Sequence, residues 1–309
     1  MKIKKNAFFS ILIMPFLLVL LFIPAQSVFA EQLPGTSSAV SFNWSGYVAT
    51  EGNYTAVGAS WIVPQITATN QNFSADATWV GIGGLSTTDL IQAGTQAIVQ
   101  NGTTTYEAWY ELLPLASTQV PLAVHSGDDM TVSIAQQSSG QWKIYFIDAT
   151  TGQSYQASVS YNSSLSSAEW IEEMPSDQKG MVALDNFGTL SFANAFAVQD
   201  NGSPETISAL GAQPMTMITN TDQALATPST LGADGASFSV TRSSATVSAQ
   251  NMIPGGRWSR VGIGVQNYVP SPTSHQTQSR QTGMGGNGFF PRRLTVLFGG
   301  FGNHARAMF

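Results

Sequence analysis

Acidic side chains flank tryptophan in two short segments of this 309-residue chain, at spacings that could set carboxyl groups to work beside a ring. In Tyr106-Glu107-Ala108-Trp109-Tyr110-Glu111, an extended backbone sends Glu107, Trp109 and Glu111 to one face and Tyr106, Ala108 and Tyr110 to the other. Two carboxyls around an indole suit a groove floor where protons are moved; the same pattern also fits a solvated outer face. In Ala168-Glu169-Trp170-Ile171-Glu172-Glu173, Glu169 and Glu173 share a face in a strand and are also neighbours on a helical turn, so period alone leaves an acidic surface open. A third segment, Asp89-Leu90-Ile91-Gln92-Ala93-Gly94, puts the Gln92 amide on the face of Leu90, which requires a hydrogen-bond partner if that face is buried. Glycosidases also set paired carboxyls beside aromatic rings, so these segments alone name no substrate.

Other chemistries are excluded by what the chain lacks. It has no cysteine, hence no thiol nucleophile, disulfide or cysteine metal site. Its three histidines, His125, His275 and His304, are far apart and lack metal-ligand spacing, which argues against a zinc or Ser-His-Asp enzyme. The Gly-rich runs at 81–84 and 283–288 lack the strand-loop-helix setting of a phosphate loop. Neither a metal nor a cofactor is expected.

The elements that must position these residues are strands. From Val40 to Val240 the chain is rich in Thr, Ser, Val, Ala, Tyr and Trp, and alternates in short runs such as Thr131-Val132-Ser133-Ile134-Ala135 and Trp142-Lys143-Ile144-Tyr145-Phe146. Asn101-Gly102, Ser139-Gly140, Thr151-Gly152 and Asp234-Gly235 are turn sites between such runs. No long helical period or fixed repeat is present, so the expected class is an all-β antiparallel sandwich or barrel.

Residues 1–30 read as a signal peptide: Lys2, Lys4 and Lys5, an apolar run from Ala7 to Pro24, then Val28-Phe29-Ala30 before Glu31. The product is expected to be secreted and free of the membrane once this segment is removed. Residues 31–241 form the expected domain. All eighteen acids lie between Glu31 and Asp234, against only Lys143 and Lys179 as bases, a formal charge of −16. Such a body repels nucleic acid and relaxes as its carboxyls protonate near their reference values of about 4. All seven arginines lie in the remainder, 242–309, a Gly/Ser-rich tail without acids, expected to be disordered or a non-native extension.

The order and wording of the segments resemble the eqolisin glutamic peptidases. Asn43-Trp44-Ser45-Gly46-Tyr47 is similar to the family's opening Asn-Trp-(small)-Gly, and Trp61-Ile62-Val63-Pro64 to the strand ending Val-Pro. Thr78-Trp79-Val80-Gly81-Ile82 resembles Ala-Trp-Val-Gly-Ile, and Leu90-Ile91-Gln92-Ala93-Gly94 resembles Leu-Gln-Thr-Gly. Tyr106 to Glu111 and Ala168 to Glu173 match Tyr-Asp-Ala-Trp-Tyr-Glu and Ala-Glu-Trp-Ile-Val-Glu, and Asn186-Phe187-Gly188 with Leu190-Ser191-Phe192 resembles the Phe-Gly strand that follows. The likeness runs from about Asn43 to Val240. It implies a concanavalin A-like, jelly-roll sandwich of two large antiparallel sheets, one curved around a cleft. Carried across, the catalytic pair falls on Gln92 and Glu173, and Trp44, Trp79, Glu107, Trp109 and Glu111 line the substrate cleft. The partners implied are protein or peptide substrates, and a monomer is expected.

Two departures accompany the likeness. Gly83 stands where the family has an acid, and only a dozen residues separate Ala30 from Asn43, where fungal members have a substantial propeptide. The implied reaction is hydrolysis in acid without a covalent intermediate, Glu173 as general base and Gln92 orienting water and oxyanion, with Glu173 needing little tuning from its reference pKa. The alternatives are a carbohydrate-active hydrolase using two carboxyls, and a carbohydrate- or peptide-binding β-sandwich module, for both of which Gln92 would be dispensable.

Overall fold

The computed structural model describes residues 39–177 and 180–244, and no helix occurs among them. The expected signal peptide and most of the Arg-rich tail lie outside the described residues. The strands are β1 Ala39–Ser41, β2 Trp44–Ala49, β3 Tyr54–Ile62, β4 Phe73–Gly83, β5 Leu90–Gln100, β6 Thr103–Leu112 and β7 Thr118–Ala123. They continue as β8 Asp129–Ser138, β9 Gln141–Asp148, β10 Gln153–Ser160, β11 Ala168–Glu173, β12 Ser176–Asp177, β13 Gly180–Met181 and β14 Ala183–Leu184. The last five are β15 Thr189–Gln199, β16 Pro204–Thr206, β17 Gln213–Ile218, β18 Ala224–Pro228 and β19 Phe238–Arg242.

Local chemistry accounts for the hairpins. The β5–β6 turn is Asn101-Gly102, both residues at positive φ (51° and 76°), the backbone twist that joins two adjacent antiparallel strands. Gly140, Gly152 and Gly235 also take positive φ, at the turns anticipated from their dipeptides. In β8 and β9 burial alternates with period two, with Val132, Ile134, Trp142, Ile144 and Phe146 inside.

Seventeen strands form one hydrogen-bonded network. Its main path runs β7-β6-β5-β4-β11-β2-β17-β18-β19-β15-β3-β8-β9-β10, each step antiparallel. The sheet folds so that its two arms share one core. Val80, Ile82, Ile91, Ala93 and Trp170 of one arm meet Val57, Trp61, Val132, Ile134 and Phe192 of the other. Two polar stitches cross this layer: Trp61 Nε1 donates to Thr95 Oγ1 at 2.9 Å, and Trp170 Nε1 to the Gly58 carbonyl at 3.0 Å. An indole N–H buried without an acceptor would cost about 1 to 3 kcal/mol, so these bonds fix which Trp can enter the core. The fold is thus all-β and antiparallel in its main path, and β18 joins the two arms by hydrogen bonds.

Arg242, the first residue of the expected tail, belongs to the last strand. It pairs with Ala226, its N–H donates to the Gly188 carbonyl at 2.8 Å, and its guanidinium donates to the carbonyls of Leu225 and Ser243.

Candidate active site

The face of the first arm that points away from the shared core carries Trp44, Trp79, Gln92, Glu107, Trp109, Glu111, Glu169 and Glu173. Ladder register arranges it in rows across β2, β11, β4, β5 and β6: Trp44–Glu173–Ala77–Gln96–Glu107, then Gly46–Ile171–Trp79–Gly94–Trp109, then Val48–Glu169–Gly81–Gln92–Glu111. Trp44, Trp79, Leu90, Trp109, Ile171 and Met215 pack as a second apolar cluster on this face. Glu111 and Trp109 are buried and Glu107 is half-buried, so this face of β6 is not a solvated one.

Glu173 is fully buried and gripped by nitrogen donors. Asn43 Nδ2 donates to its Oε1 at 3.0 Å and Trp79 Nε1 to its Oε2 at 2.7 Å, and the Trp44 side chain also favours its charged form as a hydrogen-bond donor. Burial pushes its pKa up to about 7, against the pull of these donors. Glu173 is therefore tuned well above its reference value, contrary to the expectation that it needs little tuning. Hydrogen bonds to the carboxylate stabilise its charged form, but removal from water outweighs them.

Gln92 is fully buried, and its amide has the partner that a buried position demands: Nε2 lies 2.6 Å from Glu111 Oε2 directly across the β5–β6 ladder. Burial raises Glu111 to about 9, the Gln92 bond opposing and the nearby charge of Glu173 adding to the rise. Gln92 and Glu173 are two strands apart and offset along the sheet, and the Trp79 indole spans that offset. Its Nε1 reaches Glu173 while its ring edge overlies Gly81, where a Cβ would come within 2.8 Å of Trp79 Cζ3. Only glycine admits the ring there.

Sequence reasoning missed several neighbours. Asn43 was visible as part of the opening motif, but nothing local marked it as a ligand of Glu173. Gln96 shares the ladder row of Glu173 and donates from Nε2 to Glu107 Oε2 at 3.2 Å. Glu169 is fully buried in the row of Gln92, its carboxyl held well above the ordinary range by burial, with the Ser167 hydroxyl opposing. Asp89 bears on the departure at Gly83. At Gly83, with φ +90°, a Cβ would lie 2.9 Å from Asp89 Oδ2 and 2.7 Å from the Asp89 carbonyl. The space beside Gly83 already holds a carboxylate, supplied by the residue just before β5. Burial works against the Asp89 charge, but donors from Ser164 and Thr87 outweigh it and keep that carboxyl below its usual range. A cavity of about 540 Å³ opens beside Asp89, Leu113, Pro114, Gln141 and Tyr161, not over Gln92 and Glu173.

Glu172 points the other way, into the shared core. It accepts from Thr78 Oγ1 at 2.7 Å and shares a buried pocket with Asp76, and both carboxyls are held well above their ordinary range, chiefly by burial. Adjacent glutamates thus serve opposite faces of one strand.

Comparison with known proteins bears on the family of the chain. Residues 42–242 match the model of the Peptidase A4 family. The chain is 29% identical over 202 residues to Aspergillopepsin-2 of Aspergillus niger, covering 57% of this chain and 71% of that protein. To Scytalidopepsin B of Scytalidium lignicola it is 30% identical over 149 residues, covering 46% of this chain and 55% of that protein. Among solved structures it resembles scytalido-glutamic peptidase bound to a transition state analog inhibitor, with a TM-score of 0.57 and 25% identity over 66% of this chain and 99% of the other. The aspergilloglutamic peptidase of Aspergillus niger aligns with a TM-score of 0.50 and 28% identity, over 55% and 99% of the two chains. A chain whose residues 42–242, most of its strands, match the family model belongs to the Peptidase A4 (eqolisin) family and is a glutamic endopeptidase.

Proposed function

We propose that the chain is a secreted peptidase in which Glu173 and Gln92 hydrolyse the peptide bond. Ionised Glu173 takes a proton from a water that attacks the scissile carbonyl, and afterwards gives that proton to the leaving nitrogen. The Gln92 amide orients the water and donates to the oxyanion as it forms. Trp44, Trp79, Glu107, Trp109 and Glu111 line the cleft that holds the substrate, within a two-layer jelly-roll sandwich. The enzyme acts as a monomer, clear of the membrane after its leader is removed. No metal or cofactor takes part in any step.

The observation that carries this reading is the grip on Glu173. Asn43 and Trp79 aim N–H groups at both of its oxygens, on the sheet face that also bears Gln92. Two pH effects bound the working range. Ionising the base requires pH to rise toward about 7, while the raised carboxyls of Glu169 and Glu172 make the fold favour lower pH. The optimum is therefore expected in weak acid, between the reference value of 4.5 and about 7.

The test is cleavage of a denatured protein substrate by wild type, Glu173→Gln and Gln92→Ala across pH 3 to 8. Loss of the oxyanion donor is expected to lower kcat about 10²- to 10³-fold, and loss of the base at least as much. Full activity in either variant would overturn the assignment, and an active Gln92→Ala would favour a two-carboxyl hydrolase. Gln96→Ala in parallel separates the two glutamines, since Gln96 is the one in the row of Glu173.

A further inference from the structure

The contact between Glu111 and Gln92 is shorter than an amide N–H usually makes with a carboxyl oxygen. At 2.6 Å it falls below the common N–H···O range of about 2.7 to 3.2 Å and inside that of O–H···O bonds, about 2.5 to 3.0 Å. The two ends of a glutamine amide have nearly the same shape, so which end faces Glu111 follows from the hydrogen-bond chemistry around it. Both side chains are buried and lie directly opposite in the ladder, so neither can turn to water for a substitute partner.

We infer that Glu111 is a positioning residue whose carboxyl keeps its proton and donates it to the amide oxygen of Gln92, turning the amide NH2 toward the reacting carbonyl. This rests on the proposed role of Gln92. An ionised Glu111 could only accept, and would draw the NH2 toward itself, leaving the amide oxygen toward the substrate, where it repels a forming oxyanion. A protonated Glu111 does the reverse. The surroundings favour the proton. The groups that bear on Glu111 are Glu173 on β11, whose charge opposes a second charge nearby, and Tyr161 after β10, itself pushed up to about 12 and so a neutral phenol. A backbone N–H from Ser117 helps the charged form, but burial is the largest influence on Glu111 and opposes it. From its place in the lining of the cleft, Glu111 acts on the substrate through Gln92.

Glu111→Gln and Glu111→Ala separate the possibilities. Glutamine offers Gln92 an N–H donor in place of the O–H, so its kcat at pH 6 is expected within about tenfold of wild type, whereas alanine lets the amide turn and lowers kcat about 10²-fold with KM little changed. Circular dichroism and melting curves check that both variants fold. Infrared difference spectra of wild type minus Glu111→Gln at pH 6 should show one protonated carboxyl C=O band, which reads the proton without reference to turnover. The inference is overturned if that band is absent, if glutamine is as damaging as alanine, or if alanine alters KM and spares kcat. If Gln92→Ala stays active, the catalytic role of Gln92 falls, while the infrared band still decides where the proton sits.

Discussion

Three nitrogen donors surround Glu173, and each lowers the pKa that burial raises. Replacing Trp79 with phenylalanine removes the 2.7 Å bond while keeping a ring over Gly81. A hydrogen bond to a charged group is worth about 1.5 to 3 kcal/mol, roughly one to two pKa units. Trp79→Phe should therefore move the acid limb of kcat/KM to higher pH, measured by steady-state rates from pH 3 to 8; an unmoved or lowered limb would show that Trp79 does not hold the carboxylate. Part of this residue-level picture was legible beforehand. Alternation in β6 correctly separated Glu107, Trp109 and Glu111 from Tyr106, Ala108 and Tyr110, and the Leu90 face called for an amide partner. The partner itself was not legible, because Glu111 meets Gln92 only through the β5–β6 register. Asp89 was hidden for the same reason: its carboxylate reaches Gly83 by a chain reversal that no local pattern encodes.

At the scale of the strand, β11 and β4 are buried on both faces, a consequence of lying mid-ladder between the core and the site. That placement put Glu172, which reads as one more surface acid, beside Asp76 in the core. Its folded pKa lies above its unfolded one, so the folded state holds the extra proton and loses stability as pH climbs from about 4 through the folded value. Glu172→Gln keeps an acceptor for Thr78 and a donor for Asp76 but cannot ionise. Its Tm gain over wild type should be near zero at pH 4 and grow toward pH 7. Equal shifts at both pH values would mean that Glu172 does not titrate in the fold. The strand-rich class was plain from composition and turns, whereas the joining of both arms into one ladder through β18 depends on pairings between distant segments.

For the whole molecule the same sign recurs at most of the shifted carboxyls, with Asp89 and Asp234 lowered instead. Asp76, Glu111, Glu169, Glu172, Glu173 and Asp185 all have raised pKa values, each mainly through burial, with Asp185 at about 6, Glu173 at about 7 and Glu111 at about 9. Each must shed a proton inside the fold as pH rises, so the unfolded chain, whose carboxyls ionise near 4, is favoured progressively. The −16 formal charge of residues 31–241 adds self-repulsion in the same direction. Thermal melts from pH 3 to 9 should give the highest Tm at or below about pH 4 and a continuous fall above it. A Tm that rises toward neutrality would mean that these carboxyls are already charged in the fold.

Register makes the neighbouring glutamates a hazard during folding. A slip of β11 by one residue would turn Glu172 toward the site and drive Glu173 into the core, leaving a near-native sheet with the wrong acid in place. A glycine in the flanking strand β2 guards against that outcome. At Gly46 a Cβ would stand 2.0 Å from the Trp170 carbonyl of β11, so only a bare backbone fits at that crossing. With β11 shifted by one residue, Ser45 or Tyr47 would oppose Ile171 in place of Gly46 and bring a side chain to that crossing. The close approach that looks like tight packing is thus also a proofreading device, one that rejects a misaligned and inactive decoy of the enzyme.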